Sequence, residues 1–304
     1  MNLPRIAITC GDPAGIGPEI AAKAAADPRV RDVCDPVLYG PTSLDGIMAG
    51  HLSAAAGRAA YDAIVEAVGA AMAGRVDAVA TAPINKEAFA LAGLPWRGHT
   101  ELLAHLTGAP SVAMMFHSDV LRVVLATIHV PLSEVPRLVT QATLEQVIRL
   151  TARELPRFGC EAPRLALCGL NPHAGVGGVL GPEDQRVLEP AVTACRRDGI
   201  AVSGPFPADT LFVRASRGAY DAVVACYHDQ GLIPVKLLAF GRSVNVTLGL
   251  PIIRTSVDHG TAFDIAGKGI ADHGSLVEAI RLAARLAAGP RTGAGRPPAD
   301  GGRT

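Results

Sequence analysis

The sequence is poor in aromatic residues and carries no net charge at pH 7. The absence of net charge argues against whole classes of function. Aromatic side chains make up 4% of the 304 residues, and the 28 basic and 28 acidic residues cancel at pH 7. A chain without excess positive charge lacks the electrostatic footprint of a nucleic-acid-binding protein or of a polybasic protein at a membrane surface. We therefore expect neither nucleic acid nor a membrane as a partner.

Targeting and membrane signals are also missing. No run of about 18 uncharged apolar residues occurs, which is the length that a transmembrane helix needs. The first residues, MNLPRIAITCGDP, lack the basic stretch, apolar core and cleavage site of a signal peptide. The six cysteines are scattered without a CxxC pair, as expected of free thiols in a reducing compartment. We expect a cytoplasmic protein.

Two glycine-rich nucleotide fingerprints are absent. The chain contains neither GxGxxG nor GxxxxGK[ST], the patterns of Rossmann and P-loop sites. A glycine-rich loop, GDPAGIGPE at 11–19, does follow the first predicted strand. Either this loop is a tight turn from strand to helix, or a nucleotide binds by a route other than these fingerprints.

Short apolar runs alternate with longer helical patterns, which favours an α/β fold with largely parallel strands. The 49% hydrophobic composition suffices for a substantial core. Runs rich in Val, Ile and Leu without polar alternation are typical of strands covered on both faces. They are residues 5–10, 76–81, 122–130, 164–170, 221–227 and 243–250.

Helical periodicity predicts three longer helices, at 57–74, 144–158 and 276–288. The second opens with Thr143 and Gln146, a capping-box pattern. Residues 289–304, rich in Gly, Pro and Arg, predict a disordered tail. The apolar stripe of the first helix consists of Ile64, Val65, Val68 and Met72.

Histidines are concentrated where predicted strands end. In an open α/β sheet, ligands bind beyond the carboxyl ends of the strands. Converging imidazoles on separate loops are typical of a catalytic metal site, whereas a single histidine at a strand end is usually a structural group. From spacing alone both interpretations stay open. The histidines concerned are His99, His129, His173, His228 and His259.

Cationic residues near these loops are candidates for binding phosphate or carboxylate. Lysine is scarce, with four in the chain, so a lysine beside a histidine loop stands out. Each such residue has a surface charge as its alternative interpretation. The candidates are Lys86, Arg97, Lys236, Arg242 and Arg254.

Taken together, these segments resemble one family. In order, the chain carries GDPAGIGPEI, TAPINKEAF, GHTE, ATIHVPL, CGLNPHAG, GPFPADTLF, CYHDQGLIPVK and VNVTLGLPIIRTSVDHGTAFDIAGKGIAD. This order is similar to that of the 4-hydroxythreonine-4-phosphate dehydrogenase family of vitamin B6 (pyridoxine) biosynthesis, from about residue 5 to 288. The HGTAFDIAGKG segment also resembles the adenosine-binding loop of isocitrate and isopropylmalate dehydrogenases, which bind NAD(P) without a Rossmann fingerprint.

The resemblance implies two α/β/α domains around a central cleft, as in isocitrate and isopropylmalate dehydrogenases. We place the first domain at 1–128 plus 252–288 and the second at 129–251. The second would also form much of the contact in a homodimer with a shared active site.

The implied reaction is a metal-dependent, NAD(P)-linked oxidation of 4-hydroxythreonine 4-phosphate, followed by loss of CO₂ to give 3-amino-2-oxopropyl phosphate. One divalent ion, Zn, Mg, Mn or Co, would serve each site. Motif matching gives the metal ligands as His129, His173 and His228, one of them supplied by the partner subunit.

Further roles are carried over by motif. The implied substrate-binding residues are His99, Thr100, Lys236, Asn245 and Arg254. The implied cofactor-binding residues are Gly260, Thr261, Asp264 and Gly267. The proton acceptor is open among Lys236, Asp209 and a metal-bound water.

One departure from the family pattern concerns residues 41–52, where members of the family carry roughly thirty more residues. The missing piece lies outside the metal and phosphate motifs, so it leaves the chemistry intact but puts the substrate in doubt. The alternative substrates are D-threonate and D-erythronate 4-phosphate; a more distant relative oxidises a terephthalate dihydrodiol. A binding protein that lost catalysis is opposed by the intact histidines and cofactor loop.

Overall fold

The computed structural model describes residues 3–289 and divides them into two compact units. Unit 1 contains residues 3–112 and 241–289, and unit 2 contains residues 113–240. These boundaries differ from the expected 128 and 251, because an antiparallel strand pair begins unit 2 at residue 113 and the strand after residue 241 pairs within unit 1. The predicted tail, from residue 290 onward, lies outside the described residues.

Unit 1 has five strands, numbered along the chain. Their order is β2 (Asp35–Tyr39), β1 (Arg5–Thr9), β3 (Ala78–Thr81), β10 (Arg254–Ser256) and β9 (Val244–Leu248). The first four run parallel, and β9 is antiparallel to β10.

Helices cover both faces of these strands. They are α1 (Gly17–Ala26), α2 (Pro28–Arg31), α3 (Ala54–Met72), α4 (Lys86–Leu91), α5 (His99–Thr107) and α11 (Gly274–Ala287). Ala7 and Val79 pack with Ile64 of α3 in one core cluster. On the opposite face, Thr255 donates to the carbonyl of Ala279 in α11. Because side chains alternate along a strand, the neighbours of Thr255 point toward the α3 and α5 side.

Unit 2 repeats this α/β pattern. Its strand order is β4 (Ala113–His117), β5 (Arg122–Leu125), β8 (Ala222–Ala225), β6 (Leu165–Cys168) and β7 (Val202–Phe206). Only the β4–β5 pair is antiparallel among these four pairings. The helices are α6 (Val135–Leu138), α7 (Gln141–Glu154), α8 (Glu189–Arg197), α9 (Ala208–Ser216) and α10 (His228–Ala239).

All six predicted strand segments contain strands, each shorter than predicted, and most pairings are parallel, so the predicted α/β class is confirmed. Four strands lie outside the six predicted segments, namely β2, β4, β7 and β10. Strand β7 contains Gly204 and Pro205, which disfavour a strand interior and suit its edge position. Strand β10 has three residues and begins with a buried arginine, so it lacks an apolar run.

Two helix details of the sequence analysis were wrong. The side chain that caps α7 is Thr140, which accepts from the backbone N–H of Thr143, so the helix begins before the predicted pair Thr143 and Gln146. Met72 of the predicted apolar stripe is 51% exposed, because it is the last residue of α3 and lies beyond the packed part of the helix.

Within residues 3–289, no helix combines the length and the apolar character that crossing a bilayer demands.

A glycine fixes how closely α3 approaches α4. A β-carbon added at Gly57 would collide with the backbone carbonyl of Ala88, whereas one added at Gly69 of the same helix would meet nothing within 4 Å. The close approach of two backbones therefore requires glycine at position 57.

We expect Gly57→Ala to destabilise the protein although alanine has the higher helix propensity. Gly69→Ala is the matched control and should stabilise by up to about 1 kcal/mol, since it gains propensity without a clash. Urea unfolding of both variants measures the two free energies. Stabilisation by Gly57→Ala would contradict the observed packing of α3 on α4.

Candidate active site

A row of polar side chains crosses the strands of unit 1 at one register. Thr9 lies opposite Thr81, Thr81 opposite Ser256, and Ser256 opposite Asn245. Neighbours in register point to the same face of a sheet, so these four side chains share the face that carries α3 and α5. The Oγ1 of Thr9 and the Oδ1 of Asn245 are buried and have no hydrogen-bond partner. The row therefore presents unused polar atoms in the interior of unit 1.

Arg254 begins β10 on this same face and is only 2% exposed. Its two terminal nitrogens donate to hydroxyl oxygens, one to Thr247 at 2.9 Å and one to Thr81 at 2.7 Å. Its Nε is buried without a partner, and the described residues offer it no ion pair. Burial lowers the pKa of Arg254 to about 9. A buried cation without a counter-ion is unfavourable by itself, and an anion bound beside it would offset this cost.

His99 is the first residue of α5 and lies near Arg254. Its burial, together with the positive charge of Arg254, holds the pKa of His99 well below its ordinary value, so its imidazole is neutral at pH 7. The Nε2 of His99 is buried and unpartnered. Thr100 follows in the same first turn. The N–H groups of a helix start favour an anion, and here they accompany an unpaired arginine.

The predicted cofactor residues form a second feature of unit 1. The carbonyl of Thr261 accepts from the backbone N–H of Ile16 at 3.0 Å, and a β-carbon at Gly15 would lie 2.8 Å from that carbonyl. The glycine-rich loop after β1 therefore packs directly on the segment that holds Gly260, Thr261, Asp264 and Gly267. Asp264 is exposed, whereas Thr261 is half-buried.

The chain directly after these residues is held against α1 by the charged pair Glu19 and Lys23. Glu19 accepts from the backbone N–H groups of Gly269 and Ala271, and Lys23 donates to the carbonyls of both residues. Lys23 and Glu19 also bond to each other at 2.7 Å. These contacts fix one end of the predicted cofactor loop.

The short segment 41–52 contacts both the glycine-rich loop after β1 and the predicted cofactor segment. The N–H of Gly50 donates to the carbonyl of Ala14 at 2.7 Å, and a β-carbon at Gly267 would lie 3.0 Å from the β-carbon of Ala49. The unusual segment of the sequence thus contacts the predicted cofactor side of unit 1.

In unit 2 the structure brings together two of the predicted metal ligands. The ring centroids of His129 and His228 are 5.7 Å apart. They meet because β5 and β8 are parallel neighbours, and the pairing continues past both strands through the bond from Ala126 N–H to the carbonyl of Ala225. The Nδ1 of His228 lies 2.7 Å from Asp229, a carboxylate contact that orients the ring and leaves Nε2 for a metal.

The third predicted ligand, His173, lies in the segment Pro172–Gly178, whose interior residues have left-handed backbone angles rather than those of a regular helix. His173, Ala174 and Val176 all have positive φ, which is uncommon for residues other than glycine and is marked for β-branched Val176. The fully buried carboxylate of Asp184 holds the start of this segment by accepting from the backbone N–H groups of Leu170 and Asn171.

Within residues 3–289 no three His, Cys, Asp or Glu side chains gather closely enough to hold one metal ion. The pair His129 and His228 fits part of such a site, because imidazole nitrogens are common ligands of Zn²⁺ and similar ions. His173 does not join them in this single chain.

The proposed proton acceptors occupy separate helices of unit 2. Lys236 follows His228 by about two turns on α10, and its Nζ lies 5.6 Å from the ring centroid of Phe240. Asp209 is exposed in the first turn of α9 and accepts from the N–H of Thr210.

Sequence reasoning missed the residues that surround the predicted ones. Thr81, Thr247 and Ser256 contact Arg254 or each other, and Asp184 anchors the His173 segment. A signal existed for Thr247, which alternates with Asn245 along β9 and so shares its face. None existed for Thr81, which lies 173 residues from Arg254 in the chain.

Comparison with known proteins places the chain in a family. The family described as "Pyridoxal phosphate biosynthetic protein PdxA" matches residues 18–283. The 4-hydroxythreonine-4-phosphate dehydrogenase of Geobacter metallireducens is 47% identical over 334 aligned positions, which cover 97% of this chain and 98% of that protein. The D-threonate 4-phosphate dehydrogenase of Cupriavidus necator is 45% identical, covering 94% of this chain and 98% of that protein.

Solved structures agree with this placement. The 4-hydroxythreonine-4-phosphate dehydrogenase of Klebsiella pneumoniae has a TM-score of 0.86 and 42% identity, covering 94% of this chain and 98% of that chain. A β-decarboxylating dehydrogenase of Thermococcus kodakarensis, at 18% identity and a TM-score of 0.51, shows the wider fold group alone. The predicted resemblance and fold group are confirmed. The chain belongs to the pyridoxal phosphate biosynthetic protein PdxA family and is a dehydrogenase.

Proposed function

We propose that this chain oxidises 4-hydroxythreonine 4-phosphate with NAD(P) in vitamin B6 biosynthesis. The carbinol carbon would lose a hydride to NAD(P), and the hydroxyl proton would pass to a base, for which Lys236 and Asp209 are the candidates. The β-keto acid then loses CO₂, which leaves 3-amino-2-oxopropyl phosphate. The observation that carries this proposal is the buried Arg254, whose unpaired charge calls for an anionic substrate group.

Phosphate binding is the role that best satisfies the atoms around Arg254. Arginine has five N–H donors, and the two threonine contacts use two of them. The remaining donors, the Nε–H among them, suit the several acceptor oxygens of a phosphate. His99, Thr100 and Asn245 offer further polar groups on the same side of unit 1. Binding energy from a phosphate remote from the reacting carbon helps to position that carbon.

A divalent metal would be held by His129, His173 and His228, and it would lower the pKa of the substrate hydroxyl and stabilise the negative charge that develops after decarboxylation. His129 and His228 lie together in one chain, whereas His173 does not join them. We therefore infer a homodimer in which the partner copy supplies the third histidine.

Exposed apolar side chains support the homodimer. Leu237 and Phe240 at the end of α10 are 82% and 80% exposed, and Val176 and Val179 are exposed in and beside the His173 segment. The two elements that carry His228 and His173 thus also carry apolar surface of the kind that protein interfaces cover.

NAD(P) would bind at Gly260, Thr261, Asp264 and Gly267. The support is that this segment is pinned by Ile16 and by α1, so its backbone is held in place before a dinucleotide arrives. When bound, the nicotinamide would be the hydride acceptor, and the protein would orient it. The cytoplasm remains the proposed compartment, in keeping with six cysteines that are free thiols in the structure.

A second substrate class is favoured by one comparison. The relative named for D-threonate 4-phosphate is nearly as similar to this chain as the relative named for 4-hydroxythreonine 4-phosphate, at 45% against 47% identity. D-threonate and D-erythronate 4-phosphate share the phosphate and the oxidised alcohol but lack the amino group. We keep them as the alternative.

The substrate is tested by NAD(P)H formation with Zn²⁺, Mg²⁺, Mn²⁺ or Co²⁺ on the three phosphorylated acids side by side. We expect the highest kcat/KM on 4-hydroxythreonine 4-phosphate, and no turnover after chelation of the metal. A higher kcat/KM on the sugar acids would replace the proposed pathway with sugar-acid catabolism. Activity that survives complete metal removal would contradict the metal role.

The shared metal site is tested by mixing inactive subunits. His173→Ala and His228→Ala are each expected to be inactive and folded. When the two are produced together in equal amounts, about half of the dimers are mixed, and each mixed dimer has one intact site, so about a quarter of the wild-type activity should return.

His129→Ala with His228→Ala is the matched control, because both residues come from the same chain's pair and no mixed dimer has an intact site. Equal recovery in both mixtures, or recovery in neither, would show that His173 is not the residue supplied by the partner.

A further inference from the structure

We infer that Thr81 and Thr247, with Ser256 behind Thr81, are positioning residues that aim the Arg254 guanidinium at the substrate's phosphate. This inference rests on the proposed function of Arg254. It adds three residues that no comparison assigns, and it explains how a long flexible side chain is held ready for an anion.

The hydrogen bonds around Arg254 form a chain in which each group donates to the next, from the guanidinium to Thr81 and from Thr81 to Ser256. One terminal nitrogen donates to Thr81 Oγ1 at 2.7 Å, and the hydroxyl of Thr81 donates to Ser256 Oγ at 3.0 Å. The hydroxyl of Ser256 donates to the backbone carbonyl of Thr81 at 3.2 Å. The proton of each hydroxyl is therefore committed, which leaves the Thr81 oxygen as an acceptor for Arg254.

Thr247 holds the other terminal nitrogen at 2.9 Å from strand β9. The guanidinium is thus fixed from two strands, β3 and β9, that lie on either side of its own strand β10. All three threonine and serine side chains are buried. A rigid two-point support keeps the planar group in one orientation, and the Nε–H has no protein partner.

This arrangement separates positioning from charge compensation. Neutral hydroxyls orient the guanidinium, but they do not neutralise it. The positive charge consequently remains available to an incoming anion, whereas a carboxylate in place of either threonine would compete with that anion. Hydroxyl partners are the side chains that hold an arginine without using up its charge.

The test replaces the hydroxyls by methyl groups of similar shape. Thr81→Val should raise KM for the phosphorylated substrate about tenfold, as expected when a hydrogen bond to a charged group is lost. We expect kcat to change by less than about threefold and KM for NAD(P) to stay the same. Thr247→Val should act in the same direction, and Thr81→Ser should restore binding because it keeps the hydroxyl.

Thr255→Val is the matched control. Thr255 lies between Arg254 and Ser256 in the same strand, is equally buried, and donates to Ala279 on the opposite face. It should lower the stability to a similar extent but leave KM for the phosphorylated substrate unchanged. Thermal unfolding of each variant confirms that the fold is retained.

A double-mutant cycle shows whether Thr81 acts through Arg254. In an Arg254→Met background, Thr81→Val should have no further effect on KM, because the group that it positions is gone. An equal effect in both backgrounds would overturn the positioning role while leaving the proposed function in place. If Arg254→Met itself left KM for the phosphorylated substrate unchanged, the proposed function of Arg254 would fail and the inference with it.

A second readout does not depend on turnover. Inorganic phosphate should raise the Tm of the wild-type protein, with a smaller rise for Thr81→Val and none for Arg254→Met. A rise in Thr81→Val equal to that in the wild type would contradict the inference even if no tested substrate were oxidised.

Discussion

The buried positive charge of Arg254 is the constraint on which the candidate site of unit 1 depends. Removing a guanidinium from water without a counter-ion is unfavourable, and the protein offsets this only in part by two hydroxyl contacts. Burial, together with this positive charge, lowers the pKa of His99 and keeps its imidazole neutral. An anionic ligand would relieve this imbalance, so the folded chain would favour binding of the proposed phosphorylated substrate at Arg254.

In unit 2, the backbone positions the three predicted metal ligands in two different ways. The pairing of β5 with β8 continues beyond both strands and brings His129 beside His228, whereas His173 is held by a strained segment anchored on the buried Asp184. Positive φ at residues other than glycine is unfavourable and tends to occur where function requires it. The strain at His173 and the apolar surface beside it both support the proposed homodimer, in which this segment would contact a second copy of the chain.

Family membership is compatible with both proposed substrate classes. The two named relatives differ by only a few per cent in identity to this chain. Their substrates, by the names given, share a phosphate, so the residues that bind it would be common to both. The short segment 41–52 contacts the glycine-rich loop and the predicted cofactor segment, so its effect is expected on dinucleotide binding rather than on recognition of the amino group.

Much of the fold was predictable because apolar runs, helical periodicity and strand-end motifs are local properties. They gave the α/β class, six strand segments and, as candidate site residues, Arg254, His99, His129 and His228. The strands outside those segments include β7 and β10, which are held in the sheet by pairing with neighbouring strands. The bond from Arg254 to Thr81 joins residues 173 positions apart, and its existence depends on the register between β3 and β10. The sequence by itself determined which chemical groups are present and which elements carry them. Only the tertiary structure decided which groups touch, because side-chain contacts across a sheet follow from strand order and register, which no local pattern encodes.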